Sequence, residues 1–260
     1  MIKFWNGNKS SARQDYEYEL LECLVRERQE ETLIDNDLTD YPCAQDEGNV
    51  LENGCDILVT VAGNRKFAGK PLIEIKQPLC KGLLGWRLCI VATDRVDEFE
   101  NITLAQLKGK KLGVPATWVD AELFRANGFN VVEQGNLDDM LGWVQDGSVD
   151  FITLGANEAH DILAQNQHCS DVLSIEPTMA IYYPFPLVFY VNQQQAELAE
   201  LLSQQLLEKK SQVAELFNHH YGDVIRQAAL QKRRKLSLSN PLLSDDYHLL
   251  LEEYEPFVVE

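Results

Sequence analysis

A chain of 260 residues with 45% hydrophobic and 25% charged residues is long enough for one or two domains with substantial cores. No stretch approaches the roughly 20 continuous apolar residues of a membrane span, so no membrane insertion is expected. The net charge of -18 would repel a nucleic-acid backbone, and the one basic cluster, Lys232-Arg233-Arg234-Lys235, reads as the solvated end of a helix. No nucleic-acid partner is expected.

In chain order, Ile2–Trp5 reads as a short strand and residues 6–11 as a polar loop. Residues 12–28 have helical spacing, with Tyr16, Leu20, Leu21, Leu24 and Val25 on one side. Residues 30–49 are acidic and turn-rich, with one weak strand at 32–34. An Asn53-Gly54 turn opens a β-rich run over 56–61, and strands follow at 71–75 and 84–92. Strands and helices then alternate: a helical turn at 104–107, a strand at Lys111–Val114, a helix at 119–127 ended by Gly128, and a strand at Asn130–Glu133. A helix at Leu137–Gln145, N-capped by Asn136, leads to a strand at 149–153, a helix at 157–165 and a strand at 172–175. After the run at 186–191 come helices at 195–217 and 223–232, a stop at Asn240-Pro241, and an acidic tail from Ser244 expected along the larger lobe.

Two apolar runs, Trp86-Arg87-Leu88-Cys89-Ile90-Val91-Ala92 and Pro186-Leu187-Val188-Phe189-Tyr190-Val191, bracket the alternating segment. It reads as a complete α/β domain inserted into another domain built from both chain ends. The expected organisation is a large discontinuous lobe, residues 1–92 plus 184–260, and a small inserted lobe, residues 93–183, joined by two antiparallel crossing strands. Hinged two-lobe proteins bind small molecules in the cleft between the lobes.

Cofactor signatures are missing. The cysteines at 23, 43, 55, 80, 89 and 169 form no C-x-x-C pair; Cys55, Cys80 and Cys89 fall in expected strands and read as buried thiols. Their even number leaves disulfides open, and the compartment with them. Gly109-Lys110-Lys111 lacks the upstream glycine and the hydroxyl of a phosphate-cradling loop. The adjacent His219-His220 face different ways on a helix, and His160 and His168-Cys169 read as surface groups. Neither a metal nor an organic cofactor is expected.

Asn53-Gly54-Cys55-Asp56-Ile57, Arg65, Pro78, the run Leu104-x-x-Leu107-Lys108-Gly109-Lys110-Lys111-Leu112-Gly113-Val114 and Gly147-x-x-Asp150 resemble the type 2 periplasmic-binding-protein fold. The resemblance covers about residues 54–191 and is similar to the group that binds polar amino acids. It implies an α/β fold of two lobes, with mixed sheets flanked by helices. It also implies a carboxylate-binding role for Arg65, through the bidentate geometry of a guanidinium. The sequence departs from that pattern in three places. Ala62 stands where the family has a hydroxyl, Pro115-Ala116-Thr117-Trp118 replaces its Gly-Thr motif, and Gly155 stands where a carboxylate would hold the ligand amine, with Glu158 as a substitute from the next helix.

Trp118 follows a parallel strand and opens a helix, where α/β sheets place their ligands; Asp120 would cap that helix or reach the ligand. The expected ligand-binding set is Arg65, Arg87 and Thr60 around an anionic group, with Thr117, Trp118, Asp120, Asn157 and Glu158 closing from the small lobe. The expected function is capture of a small anionic metabolite by hinge closure, without chemistry, for an ABC-type uptake system. The ligand is expected not to be a standard α-amino acid, because a buried ammonium needs a compensating carboxylate. The alternatives are an enzyme on the same fold (a lyase, transferase or dehydratase) and a ligand-sensing module that signals to a partner. The expected state is a monomer, periplasmic if a signal segment precedes Met1 in the gene and cytoplasmic otherwise.

Overall fold

The structure, a computed structural model, describes residues 1–26, 33–166, 171–244 and 246–247. In chain order the elements are β1 (Ile2–Trp5), α1 (Ser11–Val25), β2 (Ile34–Asp37), α2 (Ala44–Gly48), β3 (Ile57–Val61) and β4 (Leu72–Ile75). Then come β5 (Trp86–Ala92), α3 (Leu104–Gly109), β6 (Lys111–Val114), α4 (Val119–Ala126), β7 (Asn130–Glu133), α5 (Leu137–Gln145) and β8 (Phe151–Gly155). The chain continues through α6 (Ala159–Gln165), β9 (Leu173–Ile175), β10 (Met179–Tyr182), β11 (Leu187–Asn192), α7 (Ala196–Glu208), α8 (Lys210–Ala228) and β12 (Arg234–Ser237).

These elements form two compact units. The first comprises Met1–Lys81 and Pro186–Asp223, and the second comprises Gly82–Phe185 and the chain from Val224 on. Each holds a mixed sheet flanked by helices. In the first unit the strand order is β2-β1-β3-β11-β4, parallel from β2 to β3 and antiparallel from β3 to β4. In the second it is β12-β10-β5-β8-β6-β7, with β9 also on β5. β6 is parallel to both β7 and β8, whereas β5 runs antiparallel to β8. Strands covered on both faces are largely apolar, and every residue of β3, β5 and β8 is buried, with Thr60, Arg87 and Thr153 as the polar members.

The unit boundaries differ from the expected lobe boundaries. β5 pairs with β8, β9 and β10, and β11 with β3 and β4, so each apolar run is an interior strand of one sheet. The chain passes between units just before β5, just before β11 and a third time within α8, after Asp223. The segment beyond Val224 joins the second unit because β12 pairs in parallel with β10, a strand the sequence does not announce.

The basic cluster is therefore not a solvated helix end. Arg234 and Lys235 lie in β12, and Lys235 stands over the rings of Trp86 and Tyr182, 5.1 and 4.2 Å from their centroids. Arg233 donates to the carbonyls of Ala228, Glu176 and Met179. The helix expected over 195–217 is two helices, α7 and α8, separated at Lys209. That ammonium donates to the carbonyl of Cys23 at 2.7 Å, at the carboxyl end of α1. α8 runs through Asp223, where a separate helix was expected to begin. Cys80 lies in a buried turn and Cys55 ahead of β3, whereas Cys89 is in β5; burial pushes the Cys55 thiol up to about 11. The expected end of the first helix at 28, His168-Cys169 and most of the tail beyond Ser244 lie outside the described residues.

The core of the first unit contains an ionic cluster. Glu17, on the face of α1 that also buries Tyr16, Leu20, Leu21 and Leu24, is fully buried. It accepts from Lys9 Nζ at 2.5 Å and from Arg13 Nη2 and Nε at 2.7 and 2.9 Å. Lys9 also donates to the Val59 carbonyl of β3 at 3.2 Å, tying the helix to the sheet. Desolvation lowers the Lys9 pKa, and Glu17 opposes that shift.

Candidate functional site

Parallel α/β sheets place ligands outside the carboxyl ends of their strands. In the second unit those ends belong to β6 and β8, followed by residues 115–120 and 156–158. The antiparallel β5 brings its first residues to the same end, with Arg87 directly opposite Gly155.

Arg87 is 1% exposed and is neutralised within the unit. Its Nη2 lies 2.7 Å from Asp120 Oδ1, and the Tyr183 hydroxyl donates to the same oxygen at 2.5 Å. Arg87 Nη1 donates to the Leu84 carbonyl at 3.3 Å. Phe124 and Phe185 meet Tyr183 edge-on, 5.5 and 5.3 Å between ring centroids. Burial raises the Tyr183 pKa well above its ordinary 10.0, with Arg87 opposing and Asp120 reinforcing the shift, so the phenol stays a donor at neutral pH. Arg87 and Asp120, expected as separate ligand contacts, are thus joined to each other. Sequence reasoning missed Tyr183, because its partner is 63 positions away and no local spacing links them.

Thr117 and Trp118 stand at the mouth of the same strand end. Thr117 is exposed with φ +70, a left-handed conformation that is strained for a threonine, and its N–H donates to Glu133 Oε1 at 3.3 Å. Trp118 is half-exposed and holds the N-cap position of α4 without a side-chain cap. Asp120 sits in the first turn of α4, so the expected cap is not the one formed.

After β8, Asn157 is 3% exposed and Glu158 is 8% exposed. The Glu158 N–H donates to the Gly155 carbonyl at 3.0 Å. Asn157 Oδ1 is buried with no hydrogen-bond partner among the described residues, and a Cβ at position 155 would come within 2.3 Å of it. His160, half-buried on α6, has its pKa lowered by burial and then by Arg233.

In the first unit the corresponding strand end is that of β3. Thr60 is buried and its hydroxyl accepts from Asn64 Nδ2 at 2.9 Å. Asn64 Oδ1 in turn accepts from the Lys66 N–H at 3.1 Å, which fixes the turn on which Arg65 is exposed. Lys66 pairs with Glu47 at 2.8 Å. A groove elsewhere on this unit, lined by Tyr18, Glu19, Cys23, Arg26, Lys209 and Gln212, lies along α1 and α8 and not at the strand ends. Among the described residues no group of three or more His, Cys, Asp or Glu is placed to hold a metal. No described helix is long and apolar enough to cross a membrane.

No family model matches the chain, and no curated protein matches its sequence. Solved structures do match in fold. An amino acid ABC transporter substrate-binding protein from Streptococcus pneumoniae, bound to L-arginine, superposes with a TM-score of 0.61 at 10% identity, covering 88% of this chain and 93% of its own. An arginine 3rd transport system periplasmic binding protein from Legionella pneumophila gives 0.59 at 19% identity, covering 85% and 99%. The periplasmic VFT2 domain of BvgS from Bordetella pertussis gives 0.58 at 14% identity, covering 84% and 92%. This chain has the type 2 periplasmic-binding-protein fold, with the sheets, helices and two-unit organisation that its sequence resemblance implied.

Proposed function

We propose that the protein is a solute-binding protein that captures a small molecule bearing an anionic group and releases it unchanged. The observation that carries this reading is the near-complete coverage of binding proteins by the fold, 93% and 99% of the Streptococcus and Legionella chains. Arg65 supplies the cation for the anionic group, on a turn braced by Thr60 through Asn64. Thr117, Trp118, Asn157 and Glu158 supply contacts from the second unit. Arg87 and Asp120 act as the rigid support under those contacts rather than as the anion clamp, because each already neutralises the other. The reading implies a periplasmic location, a monomer, and delivery to an ABC-type membrane transporter.

Thermal-shift screening against small metabolites tests the proposal, since a ligand bound only by the native state raises its melting midpoint. Arg65→Ala should then weaken the identified anionic ligand by about 2–5 kcal/mol if the guanidinium pairs with a desolvated anion. Calorimetry showing unchanged affinity would remove Arg65 from the site.

A further inference from the structure

We infer that Tyr190 is a positioning residue for anion capture, holding both ends of the turn that presents Arg65, with its hydroxyl at Gly63 and its ring at Phe67. This deepens the solute-binding reading and rests on the role given there to Arg65.

Tyr190 is buried on β11, opposite Leu58 of β3 and Glu74 of β4. Its hydroxyl accepts from the Gly63 N–H at 3.2 Å, just ahead of Arg65. The Phe67 ring, just beyond Arg65, meets the Tyr190 ring edge-on with centroids 5.5 Å apart. One side chain of the sheet therefore spans the turn that carries the exposed guanidinium. The phenol is itself anchored, because it hydrogen-bonds to Glu74. Burial, reinforced by that carboxylate, raises the Tyr190 pKa above its ordinary 10.0, so the hydroxyl keeps its proton at neutral pH. The proton goes to the Glu74 carboxylate, which has none to give, and the oxygen is left to accept from Gly63.

Rigidity of this turn bears on binding more than on folding. Gripping an anion takes rotamer freedom from Arg65 and backbone freedom from the turn beneath it. A turn that is already fixed loses less at that moment, so affinity follows its order. Asn64 on Thr60 and Lys66 on Glu47 brace the turn from β3 and α2. Tyr190 adds a hold from β11, on the other side of β3 from β1. The sheet does not need the phenol to form, since β3 is paired to β1 and β11 through its backbone. Glu74 and Gly63 are both half-buried, so water can reach the partners that loss of the hydroxyl would leave. Removing the hydroxyl alone should loosen the turn and spare the fold.

Two measurements on the full chain test this, with Tyr190→Phe, which keeps the ring, and Phe67→Leu at the other end of the turn. Without ligand, hydrogen exchange read by mass spectrometry should show residues 63–67 losing protection about three- to tenfold in Tyr190→Phe, with exchange elsewhere in the first unit unchanged. With ligand, calorimetry uses inorganic phosphate, L-malate, citrate and the tightest anionic compound of the metabolite screen. Tyr190→Phe should weaken the bound anion about three- to tenfold, the worth of one hydrogen bond, and should weaken it no further in an Arg65→Ala background. A tyrosine with a structural role alone would lower affinity alike in both backgrounds. If Tyr190→Phe does not fold, Phe67→Leu carries the same cycle and decides. Unchanged protection of 63–67, unchanged affinity, or equal losses with and without Arg65 would overturn the inference, while Arg65-dependent binding left solute binding intact. Binding that Arg65→Ala does not weaken, or no anion bound at all, would instead overturn the reading beneath it, and the inference would fall with that reading.

Discussion

Arg87→Leu is expected to destabilise the second unit by about 3–5 kcal/mol, because it leaves the Asp120 carboxylate buried without its counter-charge. Asp120 has 9% of its side chain exposed, so water can relieve little of that charge. The Tyr183 hydroxyl stays on Asp120 Oδ1 but contributes a single hydrogen bond. The double variant Arg87→Leu/Asp120→Leu should recover much of the loss, since removing both charges together leaves no unpaired ion. Urea denaturation followed by tryptophan fluorescence measures both. A single-variant loss below about 1 kcal/mol, the range of exposed pairs, would mean that the pair is solvated and not a rigid support.

Glu17→Leu should have a comparable effect in the first unit, about 3–5 kcal/mol, because it strands Lys9 and Arg13. Lys9 has 3% of its side chain exposed and Arg13 14%, so Lys9 carries more of the loss. The deficit should depend on pH. The folded-state pKa of Lys9 lies below its ordinary 10.5, chiefly through desolvation, and losing Glu17 removes the main opposing attraction. The unfolded chain then binds more protons than the folded one over the window up to about 10.5, so stability rises with pH there. The gap between Glu17→Leu and wild type should therefore narrow from pH 7 toward pH 10. A gap that is flat in pH, or that widens, would show that Lys9 is not the stranded charge.

What the sequence disclosed follows from what burial does to a chain. β5 and β11 stood out because strands covered on both faces are largely apolar runs, and α5 because Asn136 reads as its N-cap, a role the structure completes with a reciprocal bond from Asp139. β12 was hidden because Arg234 and Lys235 read as solvent-facing, whereas Lys235 lies over Trp86 and Tyr182, neighbours that only folding supplies. β10, Met179–Tyr182, was too short to separate from the apolar stretch that precedes β11. The boundary between units moved because β5, counted with the larger lobe, and β12 both pair into the second unit's sheet.

The site was legible in the same uneven way. Arg87, Asp120, Asn157 and Glu158 were among the expected ligand contacts, and the structure places them at one end of one sheet. Their roles were not legible. Whether Asp120 meets a ligand or Arg87 depends on the pairing of β5 beside β8, and whether Asn157 is satisfied depends on what packs around its carboxamide. Neither is encoded in spacing along the chain.

The central claim is reversible capture without chemistry, and equilibrium dialysis with analysis of the recovered solute tests it most directly. The highest-affinity compound from the metabolite screen is dialysed against the protein, released by denaturation, and compared with the starting material by NMR and mass spectrometry. The account predicts saturable binding, weakened by Arg65→Ala, with the solute recovered quantitatively and unchanged. Catalytic conversion of that solute, beyond one equivalent per chain and abolished by denaturing the protein first, would contradict it and favour an enzyme on this fold.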